Sequence, residues 1–486
     1  MFLFLCVALL LLLLVFLGSR KPRGYPPGPP RWPLVGSLPY LERHLPHKLF
    51  SRFSSTYGPV VGLYFGTQPA AIVNGWEAVK ESIYNEDLNG RPELLLLTLM
   101  YNTTRRGVMF TEKEHWREQR RFVLHHFRNL GFGKRSHEAV VLEEASELVE
   151  DIRGAEESHN LQVMLGVSSV NIMWALMGGT RFGHKDKELQ ELVSTLNKMF
   201  RAGDVTGGLV SSFPALRYLM SEDSEFNTLF AAALRIRQFL ENAIEEHKNT
   251  IEADNVRDFI DIYINEINKN KSNPDTTFID DQLLQVCTDM FTAGVETGSS
   301  TVSFAILLTT LYPLVAAKIQ QELDEVVGHE RLPCSDDRSK LVYTEAVMNE
   351  VFRLRGAAPI TVPHKALKDT ILQGHRIPAG TTVLNNLYSV HMDPDYWVDP
   401  EIFRPERFIN PDGTLRKEER LIPFSKGRRA CLGESLARMS SFLLFTALLQ
   451  HFTFTLDPKT PIPDTEGKSG FTLGPPEFRV FAKPRF

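Results

Sequence analysis

The sequence predicts a mainly α protein with a minor β part, built as one large domain behind an N-terminal transmembrane helix. Three observations predict it: an uncharged apolar run at the start, helical spacing of apolar residues through most of the remaining chain, and short strand-like pieces lying beside turn residues.

Residues 1–18, MFLFLCVALLLLLLVFLG, carry no charge. As a helix rising ~1.5 Å per residue they nearly match a bilayer core of ~30 Å. Arg20, Lys21 and Arg23 follow the run instead of preceding it, which favours an anchor over a cleaved signal peptide and leaves the body of the chain on the cytosolic side. Residues 19–45 read as a basic and proline-rich linker, in which Tyr25-Pro26-Pro27-Gly28-Pro29-Pro30-Arg31-Trp32-Pro33 favours an extended, semi-rigid spacer. The domain proper is 46–486. Helical periodicity marks 143–153, 229–248, 281–311, 316–327, 341–355 and 435–449, and strands are expected at 59–64, 70–73, 370–372 and 478–482. No internal repeat or long linker divides the body.

Hydrophobic residues make up 43% of the chain and charged residues 23%, enough apolar surface for a sizeable core. A net charge of -5 gives no overall attraction to nucleic acid. The four cysteines, Cys6, Cys287, Cys334 and Cys431, are too few and scattered for a disulfide framework, so a reducing compartment is expected. The sequon Asn102-Thr103-Thr104 is accordingly expected to be unmodified.

The stretch Phe424-Ser425-Lys426-Gly427-Arg428-Arg429-Ala430-Cys431-Leu432-Gly433-Glu434 brackets a cysteine with glycines just before a helix. Glycine permits tight turns, while a helix N-terminus and nearby arginines lower a cysteine pKa and favour the thiolate that ligates metals. A lone cysteine is ordinarily a small buried hydrophobe; the loop around Cys431 argues for a ligand. In the middle of 281–311 lies Ala293-Gly294-Val295-Glu296-Thr297. Gly294 costs about 1 kcal/mol against alanine in a helix interior, so something should justify it, and Thr297 can turn its hydroxyl to the Ala293 carbonyl. Glu350 and Arg353 share one helix face, as do Trp116 and Arg120.

Phe424, Gly427, Arg429, Cys431 and Gly433 fit F-x-x-G-x-R-x-C-x-G, which resembles the haem-binding loop of the cytochrome P-450 family. Further motifs of that family occur in the right order over nearly the whole chain: W-x-x-x-R at Trp116 and Arg120, the Ala293 to Thr297 element, E-x-x-R at Glu350 and Arg353, and P-E-R-F at Pro405, Glu406, Arg407 and Phe408. The resemblance implies the cytochrome P-450 fold and haem b (iron protoporphyrin IX) with Cys431 as the axial thiolate. It implies that Arg429, Trp116 and Arg120 hold haem propionates, with His364 and Arg91 as further propionate partners. Glu296 and Thr297 resemble an acid–alcohol pair that relays protons, and Glu350, Arg353 and Arg407 a buried cluster serving folding. Gly298 departs from the pattern, since relatives often carry a second Thr or Ser there.

By the same resemblance the chain is expected to be a membrane-bound haem-thiolate monooxygenase. It would insert one oxygen atom from O2 into a lipophilic substrate by hydroxylation or epoxidation, with an isoprenoid hormone precursor, a fatty acid or a steroid as candidates. Glu296 and Thr297 weigh against a reductase-independent isomerase or dehydratase, and the open, dioxygen-capable distal side that the resemblance implies weighs against a non-catalytic electron carrier or gas sensor. No nucleotide-binding glycine loop follows a plausible strand, so electrons must come from elsewhere. Arg117, Arg121, Arg128, Lys134, Arg135, Lys426 and Arg428 form a basic patch in the segments that make the cysteine-side face in relatives, suited to an acidic NADPH-dependent diflavin cytochrome P-450 reductase in the endoplasmic reticulum membrane and to cytochrome b5. Substrate contacts are expected from 95–108, 201–219, the stretch from Phe291, 358–362 and 471–473. The segments 116–122, 131–134 and 391–408 resemble microsomal family-2-type enzymes, and more narrowly arthropod hormone-synthesising members such as methyl farnesoate epoxidase.

Overall fold

The computed structural model describes residues 20–93, 98, 105–154, 157–204, 208–222, 224–252 and 255–486. The expected anchor, Cys6 and the sequon lie outside them. Among the described residues no single helix is long and apolar enough to cross a membrane.

The helices are α1 (Pro46–Tyr57), α2 (Trp76–Tyr84), α3 (Lys113–Asn129), α4 (Arg135–Arg153), α5 (Leu161–Met177), α6 (Lys187–Ala202), α7 (Gly208–Ser212), α8 (Glu225–Thr250), α9 (Phe259–Lys269), α10 (Asp280–Leu311), α11 (Pro313–Val326), α12 (Val342–Arg355), α13 (Leu387–His391) and α14 (Glu434–His451). The strands are β1 (Val60–Phe65), β2 (Gln68–Val73), β3 (His364–Lys365), β4 (Thr370–Leu372), β5 (His375–Ile377), β6 (Thr382–Asn385), β7 (Phe452–Leu456) and β8 (Val480–Pro484). Strands β1, β2, β6 and β3 form one sheet in that order, with β2 and β6 parallel; β4–β5 and β7–β8 are separate antiparallel pairs. The prediction of a mainly helical domain with a minor β part holds, and the expected helices and strands fall on elements that begin or end within a few residues of the expected bounds.

The core forms around α10, which packs against α5, α8, α12 and α14. Pro313 ends it: the ring removes an N–H and pushes the preceding Tyr312 out of helical geometry (φ -116, ψ 72), so α11 leaves at 109°. Helix α5 is buried almost all round and therefore shows no polar face for periodicity to reveal. Its packing also bears on Gly294, where a Cβ would lie 2.5 Å from Met173 Cε; at Gly298 a Cβ would make only an ordinary contact, 3.4 Å from Ser169 Oγ, so packing does not explain the departure there.

The proline-rich segment is extended, as expected, but it lies on the sheet instead of standing off as a spacer. Gly62 N–H donates to Pro27 O at 2.7 Å, and the Tyr25 hydroxyl donates to Ala70 O at 2.8 Å. Glu350 accepts Arg353 through both carboxylate oxygens at 2.7 and 2.8 Å and Arg407 at 3.0 Å, all three side chains being buried. This cluster joins α12 to the P-E-R-F turn. A buried charge deprived of its partner is strongly destabilising, typically by 3–5 kcal/mol, which is why the three act as one folding unit.

A second buried network closes α4 on the turn after α5. Glu144, fully buried, accepts Arg181 Nε at 2.6 Å and pairs with His184 Nε2 at 2.8 Å, while His184 Nδ1 meets Asp151 at 2.9 Å. Burial works against the charged imidazole, but the hydrogen bond and charge of Glu144, with Glu147 and Asp151, raise the His184 pKa above its usual value. A folded-state pKa raised above the unfolded one adds stability at low pH that is lost as pH rises through the folded value. Denaturant midpoints should therefore fall as pH rises above about 6.5, and His184→Gln should flatten that slope; an unchanged slope in the variant would refute the assignment.

Candidate functional site

The loop before α14 is wound tightly. Ser425 and Gly427 take positive φ (57° and 75°), Ser425 N–H donates to Ile422 O, and Cys431 N–H returns to Phe424 O at 2.9 Å. A Cβ on Gly427 would lie 2.4 Å from Ile83 O, so both the turn and the close approach to α2 require glycine. Phe424 pins the loop from below, edge-on to Phe352 of α12 and beneath the Arg438 guanidinium. Gly433 stands at the N-cap of α14. Cys431 is reachable by solvent yet enclosed by protein, as on the wall of a recess.

The thiol departs from expectation. Burial raises its pKa, assisted by Glu434; the Gly433 and Glu434 N–H groups and Arg120 pull it down without overcoming burial. The predicted lowering contributions are present, and the desolvation of the recess outweighs them.

Around this recess the fold gathers Arg91, Arg120, Arg429, Trp116 and His364. Arg429 lies over the Trp116 ring with Cζ 3.9 Å from the centroid and donates to Asn89 O and Thr111 O. Arg120, one turn after Trp116 on α3, donates to Ala430 O at 2.7 Å. Arg91 donates to the carbonyls of Met109, Val362 and Pro363 at 2.9, 3.0 and 2.9 Å. Among the described residues none of these three guanidiniums has a carboxylate within ion-pair distance, and Arg429 Nη1 is buried with no partner. Burial first, then repulsion from neighbouring arginines, pulls the Arg429 pKa down to about 8 and Arg91 to about 9, while burial lowers that of Arg120 against the opposing pull of Cys431. A cationic cluster of this kind fits a group bearing carboxylates. His364 Nδ1 meets Leu88 O at 2.9 Å, and burial, with Arg91 and Arg429 beside it, drives its pKa well down, so the ring is neutral and its Nε2 presents a lone pair.

On α10, Thr297 Oγ1 donates to Ala293 O at 2.7 Å as the sequence predicted. Glu296 does not meet Thr297. Its buried carboxylate accepts Thr472 Oγ1 at 2.7 Å and Ser300 Oγ at 3.0 Å and forms an ion pair with Arg201. Sequence reading missed Arg201 and Thr472 as partners of this acid, because they lie 95 and 176 residues from it. It also missed Asp289, whose carboxylate accepts Val108 and Met109 N–H at 2.7 and 2.8 Å and fixes the segment after 105 on the central helix. Burial raises the Asp289 pKa to about 6.

The basic residues expected on the cysteine side do cluster there in part. Phe132 reaches Gly433, and Gly133 lies against Ser435, which sets the turn carrying Lys134 and Arg135 beside the Cys431 loop. Arg117, Arg135 and Arg428 are paired with Glu114, Asp336 and Glu86, whereas Arg121, Arg128 and Lys134 are exposed without an ion pair among the described residues.

The family model described as "Cytochrome P450" matches residues 26–482. "Cytochrome P450 2J3" of Rattus norvegicus is 37% identical over 479 residues, spanning 97% of this chain and 93% of the relative. "Farnesoate epoxidase" of Bombyx mori is 34% identical over 488 residues, spanning 99% and 98%. "Cytochrome P450 2B2" of Rattus norvegicus is 35% identical over 483 residues, spanning 96% of each.

Gly427→Ala forces a side chain onto the Ile83 carbonyl and should reduce haem bound per polypeptide several-fold while β1 to β6 remain folded, since loop strain of this kind costs on the order of 1–3 kcal/mol. Full haem content in the purified variant, measured by absorbance against protein, would contradict the proposed need for glycine.

Proposed function

Because the chain belongs to the cytochrome P450 family, whose members use haem with an axial cysteine thiolate, we propose that Cys431 is that ligand and that Arg91, Arg120 and Arg429 hold the haem carboxylates. The chain is a monooxygenase of the oxidoreductase class. The observation that carries the site assignment is the set of three guanidiniums gathered beside Cys431 without a carboxylate partner among the described residues.

Thiolate-ligated haem supplies oxygen-activating chemistry, the sulfur donating electron density that favours O–O cleavage. The residues supply position and protons. Trp116 stacks beneath Arg429 and fixes the plane of its guanidinium. His364, neutral and tied to Leu88, contributes a rigid wall more than a charge. Phe424, Gly427 and Gly433 shape the turn that aims Cys431. Thr297 presents its hydroxyl from the middle of α10, and passing its proton requires release of the Ala293 carbonyl. Glu296, held by Arg201, Thr472 and Ser300, stands as a structural ion pair beside Thr297 on α10 and not as its proton partner.

The substrate is a lipophilic molecule oxygenated by hydroxylation or epoxidation. An isoprenoid is favoured over a fatty acid or steroid, a reading supported by the similarity to a relative named farnesoate epoxidase. The apolar residues 1–18 anchor the chain in the endoplasmic reticulum membrane, with the catalytic domain on the cytosolic side. Electrons arrive from an NADPH-dependent diflavin reductase, with cytochrome b5 as a second donor, docking where Arg121, Arg128 and Lys134 are exposed.

Two measurements test this reading. The reduced, CO-bound protein should show the strongly red-shifted Soret band of thiolate ligation, and Cys431→His should lose it; an unshifted band in folded, haem-loaded wild type removes the assignment. In a reductase-reconstituted membrane supplied with methyl farnesoate, fatty acids and steroids, Thr297→Ala should form about tenfold less product per NADPH consumed, in line with loss of a positioned proton donor.

A further inference from the structure

A small, partly enclosed cavity lies apart from Cys431, bounded by α1, α12, α13 and the C-terminal segment from Glu466 to Leu473. Two cations that line it are already matched, Lys48 by Glu466 and Arg353 by Glu350. Arg355 is not. As the last residue of α12 it ties down the C-terminal segment, with Nε donating to Thr465 O, Nη2 to Thr465 Oγ1 at 3.2 Å, and Nη1 to Leu354 O at 2.8 Å. Each Nη of a guanidinium bears a pair of N–H groups, so Nη1 and Nη2 both keep a donor that has no acceptor among the described residues. Nor does any described carboxylate come within ion-pair distance of Arg355: Glu466 is taken by Lys48, and Glu401 and Asp464, which act on it from farther off, are exposed.

Two further polar side chains line the same space. The His47 and Tyr388 rings lie with centroids 4.6 Å apart, and among the described residues neither the imidazole nitrogens of His47 nor the Tyr388 hydroxyl have a hydrogen-bond partner. Burial first, then the charges of Lys48 and Arg355, pulls the His47 pKa down to about 3, so the ring is neutral and brings an N–H donor without a charge. Burial first, then Glu401, raises the Tyr388 pKa to about 12, which keeps its hydroxyl protonated and able to donate. Donors from three helices thus border a space that takes little more than a water-sized guest, with the charge of Arg355 left over.

We propose that this cavity is a binding site for a small monovalent anion, chloride in the cell, held by the Arg355 guanidinium, the Tyr388 hydroxyl and the His47 ring. A single negative charge matches the unpaired cation, and the size of the space excludes phosphate and sulfate. The effect of the ion is structural. Arg355 already holds Thr465, and Leu473 N–H donates to Ala357 O at 2.8 Å nearby, so an anion that joins Arg355 to Tyr388 and His47 fastens α1, α13 and the C-terminal segment to the end of α12.

The test follows the thermal midpoint of the full-length, haem-loaded protein as sodium chloride replaces sodium gluconate at constant ionic strength, gluconate being too large to enter. A ligand bound by the folded state alone raises the midpoint, so wild type should gain stability as chloride replaces gluconate. Its chloride NMR line should broaden, and should sharpen again when bromide displaces the ion. Tyr388→Phe, which keeps the ring against His47, should weaken chloride about tenfold, the effect of one hydrogen bond to a charged group. Arg355→Gln should lose both the rise and the broadening in a protein whose circular dichroism matches wild type, and Arg355→Lys, which keeps the charge, should retain part of each. Equal midpoints in chloride and gluconate with no broadening would mean that the cavity holds water alone, and the proposal falls. It falls equally if chloride affinity is unchanged in Tyr388→Phe, a variant that leaves every recorded hydrogen bond in place, or if the rise and broadening persist in Arg355→Gln.

Discussion

Three guanidinium groups gathered without a counter-ion among the described residues set the terms for this molecule. Arg91, Arg120 and Arg429 arrive from the segment after α2, from α3 and from the Cys431 loop, and among the described residues their guanidinium hydrogen bonds go to backbone carbonyls. Carbonyls solvate a cation but do not cancel its charge, so the cluster carries a standing electrostatic cost in a low-dielectric interior. An anionic group seated among them would turn that cost into binding energy. The position of Trp116 under Arg429, the neutrality of His364 and the winding of the loop that holds Cys431 are all coupled to this one feature.

The surrounding fold keeps the cluster and the cysteine in register. Helix α10 runs through the core, and Gly294 lets Met173 of α5 close against it. The Glu350 cluster fixes α12 against the P-E-R-F turn, and Phe352 of α12 in turn supports Phe424 at the base of the Cys431 loop. Asp289, by gathering the Val108 and Met109 N–H groups, fixes to α10 the stretch whose Met109 and Thr111 carbonyls receive Arg91 and Arg429. The supports of the site therefore come from separate parts of the chain but meet on two helices, α10 and α12.

The same economy of charge operates on the other side of the central helix. There Arg201 and Glu296 are paired, so the charge of each is matched, in contrast to the cationic cluster at the cysteine, which has no carboxylate partner among the described residues.

Sequence alone determined whatever depends on local spacing. The amphipathic helices, the glycine-bracketed Cys431, the Thr297 hydroxyl turned to Ala293, and the shared faces of Glu350 with Arg353 and of Trp116 with Arg120 are fixed within one or two turns of chain, where periodicity and backbone geometry act directly. Tertiary structure decided the rest. Helix α5 was invisible to periodicity because it is buried on all sides; the proline segment was taken from spacer to sheet cover by hydrogen bonds from Gly62 and Tyr25; the cysteine thiol was pushed upward because burial exceeded the pull of the helix N-terminus; and Glu296 found Arg201 and Thr472 instead of Thr297. In each case the deciding quantity was desolvation or a partner distant in sequence, and both come into being only when the chain has closed on itself.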